Sequence, residues 1–171
     1  YAISKQTGSN FLKSITAQKS TDYTSLRYFN VYGPRQDYRR SVPPLMSSMI
    51  IKMLNKEQPV IYGNGSKKRD FIHVNDVNRF HEILINKKNI NQKIFNLGSG
   101  NNFSVYEIFI KIRELLDLTI EPIYKDDLPG EAQENLADIN QATQLNWLPQ
   151  VTLDDGLLDM IKYIRQNVIK K

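Results

Sequence analysis

The chain has 171 residues, 40% hydrophobic and 24% charged, with a formal net charge of +5 and no cysteine. That length can bury a full core, and the composition is that of an ordinary globular domain. No apolar run approaches the roughly 20 residues of a membrane-spanning helix, and zero cysteines exclude disulfides, thiolate metal sites and a cysteine nucleophile. Two histidines, His73 and His81, are too few for a histidine-rich metal site. Basic residues are spread out, with small clusters at Arg35, Arg39 and Arg40 and at Lys67, Lys68 and Arg69. A nucleic-acid binder carries a denser basic stripe with interleaved aromatics. The clusters therefore read as solvated surface, or as partners for the phosphates of a small anionic ligand. A cytoplasmic setting fits the lack of cysteine.

Residues 1–19 read as a helix with Phe11, Leu12 and Ile15 on one face. Tyr1 and Lys5 lie one above the other on such a helix. There the ammonium stabilises a phenolate, which a lone tyrosine with a pKa of about 10 cannot sustain at neutral pH. Such a pair can accept a proton from a sugar or alcohol hydroxyl, although the same spacing occurs by chance in many helices. Residues 25–29 read as a strand, and Gly33-Pro34 breaks the chain into a loop. Pro43 and Pro44 suit the start of a helix carrying Leu45, Met49, Ile50 and Met53. Residues 59–62 and 69–74 read as strands joined by Gly63-Asn64-Gly65, a pattern that predicts a hairpin. Asn75 or Asp76 is the candidate cap of a helix to about residue 86, and a helix cap is the simplest role for Asp76.

A strand at 93–97 ends in Gly98-Ser99-Gly100. Ser104 and Glu107 have capping-box spacing for a helix to about residue 117. A strand follows at 120–124, then a polar loop around Pro129-Gly130. Asp138 is the candidate cap of a short helix. Thr152 and Asp155 open a last helix with Leu157, Leu158, Ile161 and Ile164, and Trp147 and Tyr163 are expected to pack the C-terminal helices. His73 reads as a structural residue at a strand end. Strands alternate with helices, so the class is α/β.

Several segments stand in a fixed order: Tyr1-x-x-x-Lys5; Arg27-Tyr28-Phe29-Asn30-Val31-Tyr32-Gly33-Pro34; Ile61-Tyr62-Gly63-Asn64-Gly65; Arg69-Asp70-Phe71-Ile72-His73-Val74; Phe95-Asn96-Leu97-Gly98-Ser99-Gly100; Pro129-Gly130-Glu131; and Ala137-Asp138-Ile139-Asn140-Gln141-Ala142. The series resembles the extended short-chain dehydrogenase/reductases that act on nucleotide sugars, and is most similar to the NAD-dependent 4-epimerases of UDP-sugars, with dehydratases next. The resemblance covers nearly the whole chain. It implies the C-terminal part of a Rossmann-type fold together with the smaller substrate-binding domain. Residues 1–35 would end the dinucleotide-binding domain. Residues 36–171 would be mainly substrate-binding, with 75–100 returning to the Rossmann sheet. The glycine-rich dinucleotide fingerprint of that family is absent from this sequence. The chain, opening on Tyr1, is thus expected to be a fragment, inactive alone, that binds NAD mostly through a missing half.

The resemblance also implies roles. Tyr1 would exchange the proton of the sugar 4-hydroxyl. Lys5 would lower its pKa and bond the nicotinamide ribose. NAD would take the C4 hydride and return it to the opposite face. Tyr28 and Val31 would meet the nicotinamide end, Asn30 and Arg69 the diphosphate, Gln36 the sugar, and Val60 and Tyr62 the base. Gln133 stands where many relatives are expected to carry an arginine, so either Arg39 or Arg40 compensates, or binding is weak, or the substrate differs. The first helix is where relatives dimerise, so a homodimer is expected. No nucleic acid, membrane or metal is implied. The alternatives are a dehydratase fragment and a non-catalytic module that binds a sugar nucleotide.

Overall fold

The computed structural model describes residues 2–19, 21–127 and 129–169. In chain order the elements are α1 (Ala2–Gln18), β1 (Thr24–Tyr28), β2 (Asn30–Tyr32), α2 (Leu45–Leu54), β3 (Val60–Tyr62), β4 (Lys68–His73), α3 (Val74–Ile85), β5 (Lys93–Leu97), β6 (Asn102–Ser104), α4 (Val105–Leu116), β7 (Ile123–Lys125), α5 (Asn140–Thr143) and α6 (Leu153–Asn167). Local chemistry sets several boundaries. Ser104 and Glu107 form the reciprocal capping box that starts α4, and the side chain of Thr152 caps α6 by accepting from Asp155 N–H. Pro44 precedes α2, where a missing N–H costs nothing.

The strands form three small sheets. β1 pairs with β5 in parallel, from Thr24 opposite Lys93 to Tyr28 opposite Leu97. β2 pairs in parallel with β4, which also pairs antiparallel with β6. β3 pairs in parallel with β7. The expected hairpin between β3 and β4 therefore does not form. Gly63 and Gly65 do turn the chain with positive φ, but the turn docks elsewhere. Tyr106 N–H bonds Gly65 O and Val105 N–H bonds Lys67 O, so the start of α4 holds the connection and carries β4 away from β3. The short strands β2 and β6 were not expected, and the strand predicted at 120–124 lies at β7 instead.

Side chains alternate across a strand, and β4 uses both faces. Phe71 enters a cluster with Met46, Ile50, Ile108, Ile112 and Leu157 from α2, α4 and α6. Ile72 enters a second cluster with Val77, Phe80, Phe95, Leu97 and Trp147. Each large side chain fully buried there contributes about 1.5–3 kcal/mol. Trp147 thus packs edge-on against Phe80 of α3, its indole N–H bonding Asp76 O at 3.0 Å, in the cluster that also holds Ala142 of α5. Tyr163 does join the α2–α4–α6 cluster. Leu158 stays on the exposed side of α6.

The caps of α3 and α5 also differ from expectation. His73 is the N-cap of α3, its Nδ1 accepting from Asn75 N–H at 3.3 Å. Asp76 is instead buried, and its carboxylate accepts from the N–H groups of Gln150 and Val151 and from Arg79. A carboxylate in the first turn has no reason to stay local when distant N–H groups need an acceptor. Asp138 accepts from Asn140 N–H, one residue before the N-cap Ile139.

His73 carries a testable pH dependence. Its Nε2 is buried without a hydrogen bond, 3.6 Å from a carboxylate oxygen of Asp159. Burial pushes its pKa down, against the opposing pull of Asp159 and Asp76. The folded state then binds fewer protons than the unfolded one, so stability is complete above the unfolded histidine value of about 6.5 and falls as pH drops from there toward the lowered folded value. Urea midpoints should decline over that window. In His73→Asn, which keeps a side chain able to cap α3, that part of the decline should vanish.

α1 stands apart. Phe11 is 64% and Ile3 83% exposed. Thr7, Ser9 and Thr16 bond back to carbonyls one turn earlier, which weakens a helix slightly.

Candidate functional site

A groove of about 530 Å³ opens between β2, β3, β4 and the start of α2. Asn30, Gln36, Val60, Tyr62 and Arg69 all line it. Val60 and Tyr62 share one face of β3 because they are two residues apart, while Ile61 between them is fully buried. Gln36 is braced: its Nε2 donates to Val31 O at 3.0 Å and its Oε1 accepts from Ser47 Oγ at 2.9 Å. An amide has two N–H donors, so one remains for a ligand. Asn30 Nδ2 donates to Asp70 O at 2.8 Å and reaches Asn135 Oδ1 only at 3.5 Å. The longer bond is the one a phosphate oxygen can replace.

The cationic wall draws one or two residues from each of the two basic clusters noted in the sequence. Lys67 and Arg69 alternate onto the same side as Lys68 turns away, and both line the groove. The Lys67 side chain is 7% exposed; its ammonium bonds Asp127 and, at 3.1 Å, Glu131. Those bonds, Asp127 first, raise its pKa. Arg69 is 17% exposed, donates to Lys68 O at 2.9 Å and sits 3.5 Å from Glu131. Glu131 thus bridges two cations inside the groove. Arg40 lines the groove as well, whereas Arg39 stacks over the Tyr38 ring at 5.4 Å. Gln133 is not part of the lining; its carbonyl accepts from Lys68 N–H. Lys67 lay within the basic cluster already noted in the sequence, and strand alternation from Arg69 was the signal that could have singled it out.

A second cleft of about 640 Å³ lies between α1 and β1, lined by Lys5, Ser9, Arg27, Tyr28 and Val31 among others. Val31 lines both clefts and forms their common wall. The residues expected at the cofactor, Lys5, Tyr28 and Val31, are therefore together, next to the residues expected at the substrate. Tyr1 lies outside the described residues. Among the described residues no cluster of three or more His, Cys, Asp or Glu could hold a metal ion, and no helix is long and apolar enough to cross a membrane.

Parallel strand pairs flanked by helices make this an α/β fold, in which a basic groove shares a wall with a lysine-bearing cleft. The model of the NAD dependent epimerase/dehydratase family matches residues 1–98, and the chain belongs to that family. It superposes with a TM-score of 0.92 and 31% identity on the UDP-glucose 4-epimerase of Thermotoga maritima crystallised with UDP-glucose, covering 99% of this chain and 54% of that one. The UDP-N-acetylglucosamine 4-epimerase of Methanobrevibacter ruminantium, in complex with UDP-N-acetylmuramic acid, gives the same score and identity over 98% of this chain and 54% of that one. The UDP-glucuronate 4-epimerase of Thermodesulfobacterium geofontis is 29% identical over 86% of this chain and 44% of its own length. The chain spans about half the length of the curated relatives it matches.

Proposed function

We propose that this chain is the nucleotide-sugar-binding portion of an NAD-dependent UDP-sugar 4-epimerase, inactive without a nucleotide-binding half. The observation that carries the reading is the shared wall at Val31, which sets a groove with Asn30, Gln36 and Arg69 beside a cleft with Lys5 and Tyr28. A ligand with a base, a diphosphate and a sugar matches the groove in order. Val60 and Tyr62 flank the base, Arg69, Lys67 and Asn30 meet the diphosphate, and Gln36 touches the sugar. Guanidinium suits a diphosphate because its planar fork meets two oxygens at once. NAD, held by Tyr1, Lys5, Tyr28, Val31 and mostly by the other half, supplies hydride acceptance and return at C4. Tyr1 takes and returns the 4-hydroxyl proton. The relatives named as 4-epimerases favour this over dehydration.

The same reading assigns residues 1–35 and 75–100, whose strands β1 and β5 pair with each other, to the nucleotide-binding sheet, and the remainder mainly to the substrate domain. It also has α1 pack its apolar stripe against a second copy, because Phe11, Leu12 and Ile15 are exposed here.

Fusing the chain behind a cofactor-binding half should give interconversion of a UDP-sugar with its C4 epimer, measured by a coupled assay, while the chain alone should give none. A fusion that turns over no UDP-sugar overturns the proposal. In that fusion Arg69→Met should raise KM for the UDP-sugar about 10- to 100-fold, the range of a charge-assisted bond, with a smaller change in kcat.

A further inference from the structure

His81 plays no part in the groove or in the proposed chemistry, yet it is the direct partner of a cleft residue. Its Nε2 lies 2.9 Å from the Tyr28 hydroxyl, and its Nδ1 lies 2.9 Å from Val77 O, one turn earlier on α3. The two rings stand 5.9 Å apart at 31°. A carbonyl oxygen only accepts. Nδ1 must therefore carry the proton that bonds Val77 O, and in the neutral ring Nε2 is left with a lone pair. The Tyr28 hydroxyl then donates to Nε2. A hydroxyl has one O–H and two lone pairs, so once its proton is committed to His81, the Tyr28 oxygen offers any further partner acceptor capacity alone, and Tyr28 is a lining residue of the cleft. Burial raises the Tyr28 pKa, which keeps that proton in place.

We propose that His81 is a positioning residue that sets the polarity of the Tyr28 hydroxyl, making the α1–β1 cleft select a ligand group that donates an N–H, as a primary carboxamide does. The inference rests on reading that cleft as the nicotinamide end of a cofactor site, and it adds a reason for preferring a carboxamide over an isosteric ketone. It acts through an element, α3, that contributes no residue to the cleft lining given above.

The chain itself supplies a clean test, because it holds only two histidines. His73 Nδ1 accepts from Asn75 N–H, so the two rings should adopt opposite tautomers. Long-range nitrogen NMR should show Nε2-protonated His73 and Nδ1-protonated His81, and Tyr28→Phe should move the His81 Nε2 resonance and leave His73 unchanged. An Nε2-protonated His81 overturns the proposal whatever the cleft binds. The ligand half is read in the fusion with a cofactor-binding half, by titrating nicotinamide mononucleotide and its acetylpyridine analogue, in which a methyl replaces the amide nitrogen. The carboxamide should bind about threefold to tenfold tighter, the span of one net neutral hydrogen bond. His81→Phe should bring that ratio toward one, and His81→Gln, whose carbonyl can accept from Tyr28, should restore part of it. The His73 signal reports that each variant is folded. Equal preference in wild type and His81→Phe overturns the proposal. If neither mononucleotide binds although His81 is Nδ1-protonated, the cofactor reading of the cleft fails, and the ligand half falls with it.

Discussion

Asp70→Ala should destabilise the chain by about 3–5 kcal/mol, read as a lower urea midpoint at unchanged slope. Asp70 is fully buried. Its carboxylate accepts from Ser99 N–H at 2.6 Å, Ser99 Oγ at 2.9 Å, Gly100 N–H at 3.1 Å and Ala137 N–H at 3.0 Å. Truncation strands three backbone donors, that of Ala137 buried and those of Ser99 and Gly100 half-buried, each costing up to about 1–3 kcal/mol unless water enters. Against a typical total of about 5–15 kcal/mol this is a large share. Asp70→Asn should recover only part, because its amide group turns a donor toward donors. Gly98 belongs to the same knot. A methyl there would overlap Ala137 Cβ and lie 2.6 Å from Asp70 Oδ2, so Gly98→Ala should also unfold more easily. A loss below about 1 kcal/mol for Asp70→Ala would contradict this account. The effect should reach the groove too, since Asp70 O holds Asn30 and the next residue back is Arg69.

What the sequence revealed was what short spans determine. The capping box at Ser104 and Glu107, the Thr152 cap and the apolar period of α2 depend on neighbours within one or two turns, and each stands where expected. Strand partners did not follow from such spans. β3 pairs with β7 some sixty residues on, Val60 opposite Ile123, and nothing in Gly63-Asn64-Gly65 distinguishes a hairpin turn from one that docks on α4. Three-residue strands such as β2 and β6 are too short to show a period of two. In the site, the resemblance pointed to Asn30, Gln36, Val60, Tyr62 and Arg69, and all five line one groove. Glu131 was missed as a groove residue, because its position depends on how the loop around Pro129 closes over β4, whereas Arg40 and Lys67 lie in basic clusters already offered to an anionic ligand. His81 was missed because it meets Tyr28 across 53 residues of sequence. Asp76 was misread because a residue suited to capping has a stronger use when distant N–H groups lack an acceptor.

In the fused enzyme, Tyr1→Phe is expected to lower kcat about 10²- to 10⁴-fold with KM for the UDP-sugar nearly unchanged, the usual weight of a positioned acid/base. On the proposed reading the phenol acts on a proton that moves only in the transition state, so removing it should leave ground-state binding intact. Lys5 makes a separate, sharper prediction. It lies in the first turn of α1 and lines the cleft with Tyr28, and position 5 follows position 1 by one helical turn. If its ammonium is what makes the phenol acidic, Lys5→Met raises the phenol pKa. The sign follows directly: the deprotonated, proton-accepting form then appears only at higher pH, so the rising limb of kcat against pH moves up. Tyr1→Phe has no such limb to move. The two variants should therefore differ in shape as well as size, with Lys5→Met recovering activity in alkaline buffer and Tyr1→Phe not. A Lys5→Met profile parallel to wild type would mean that Lys5 serves the cofactor ribose alone, and the coupling between the two side chains would have to be abandoned.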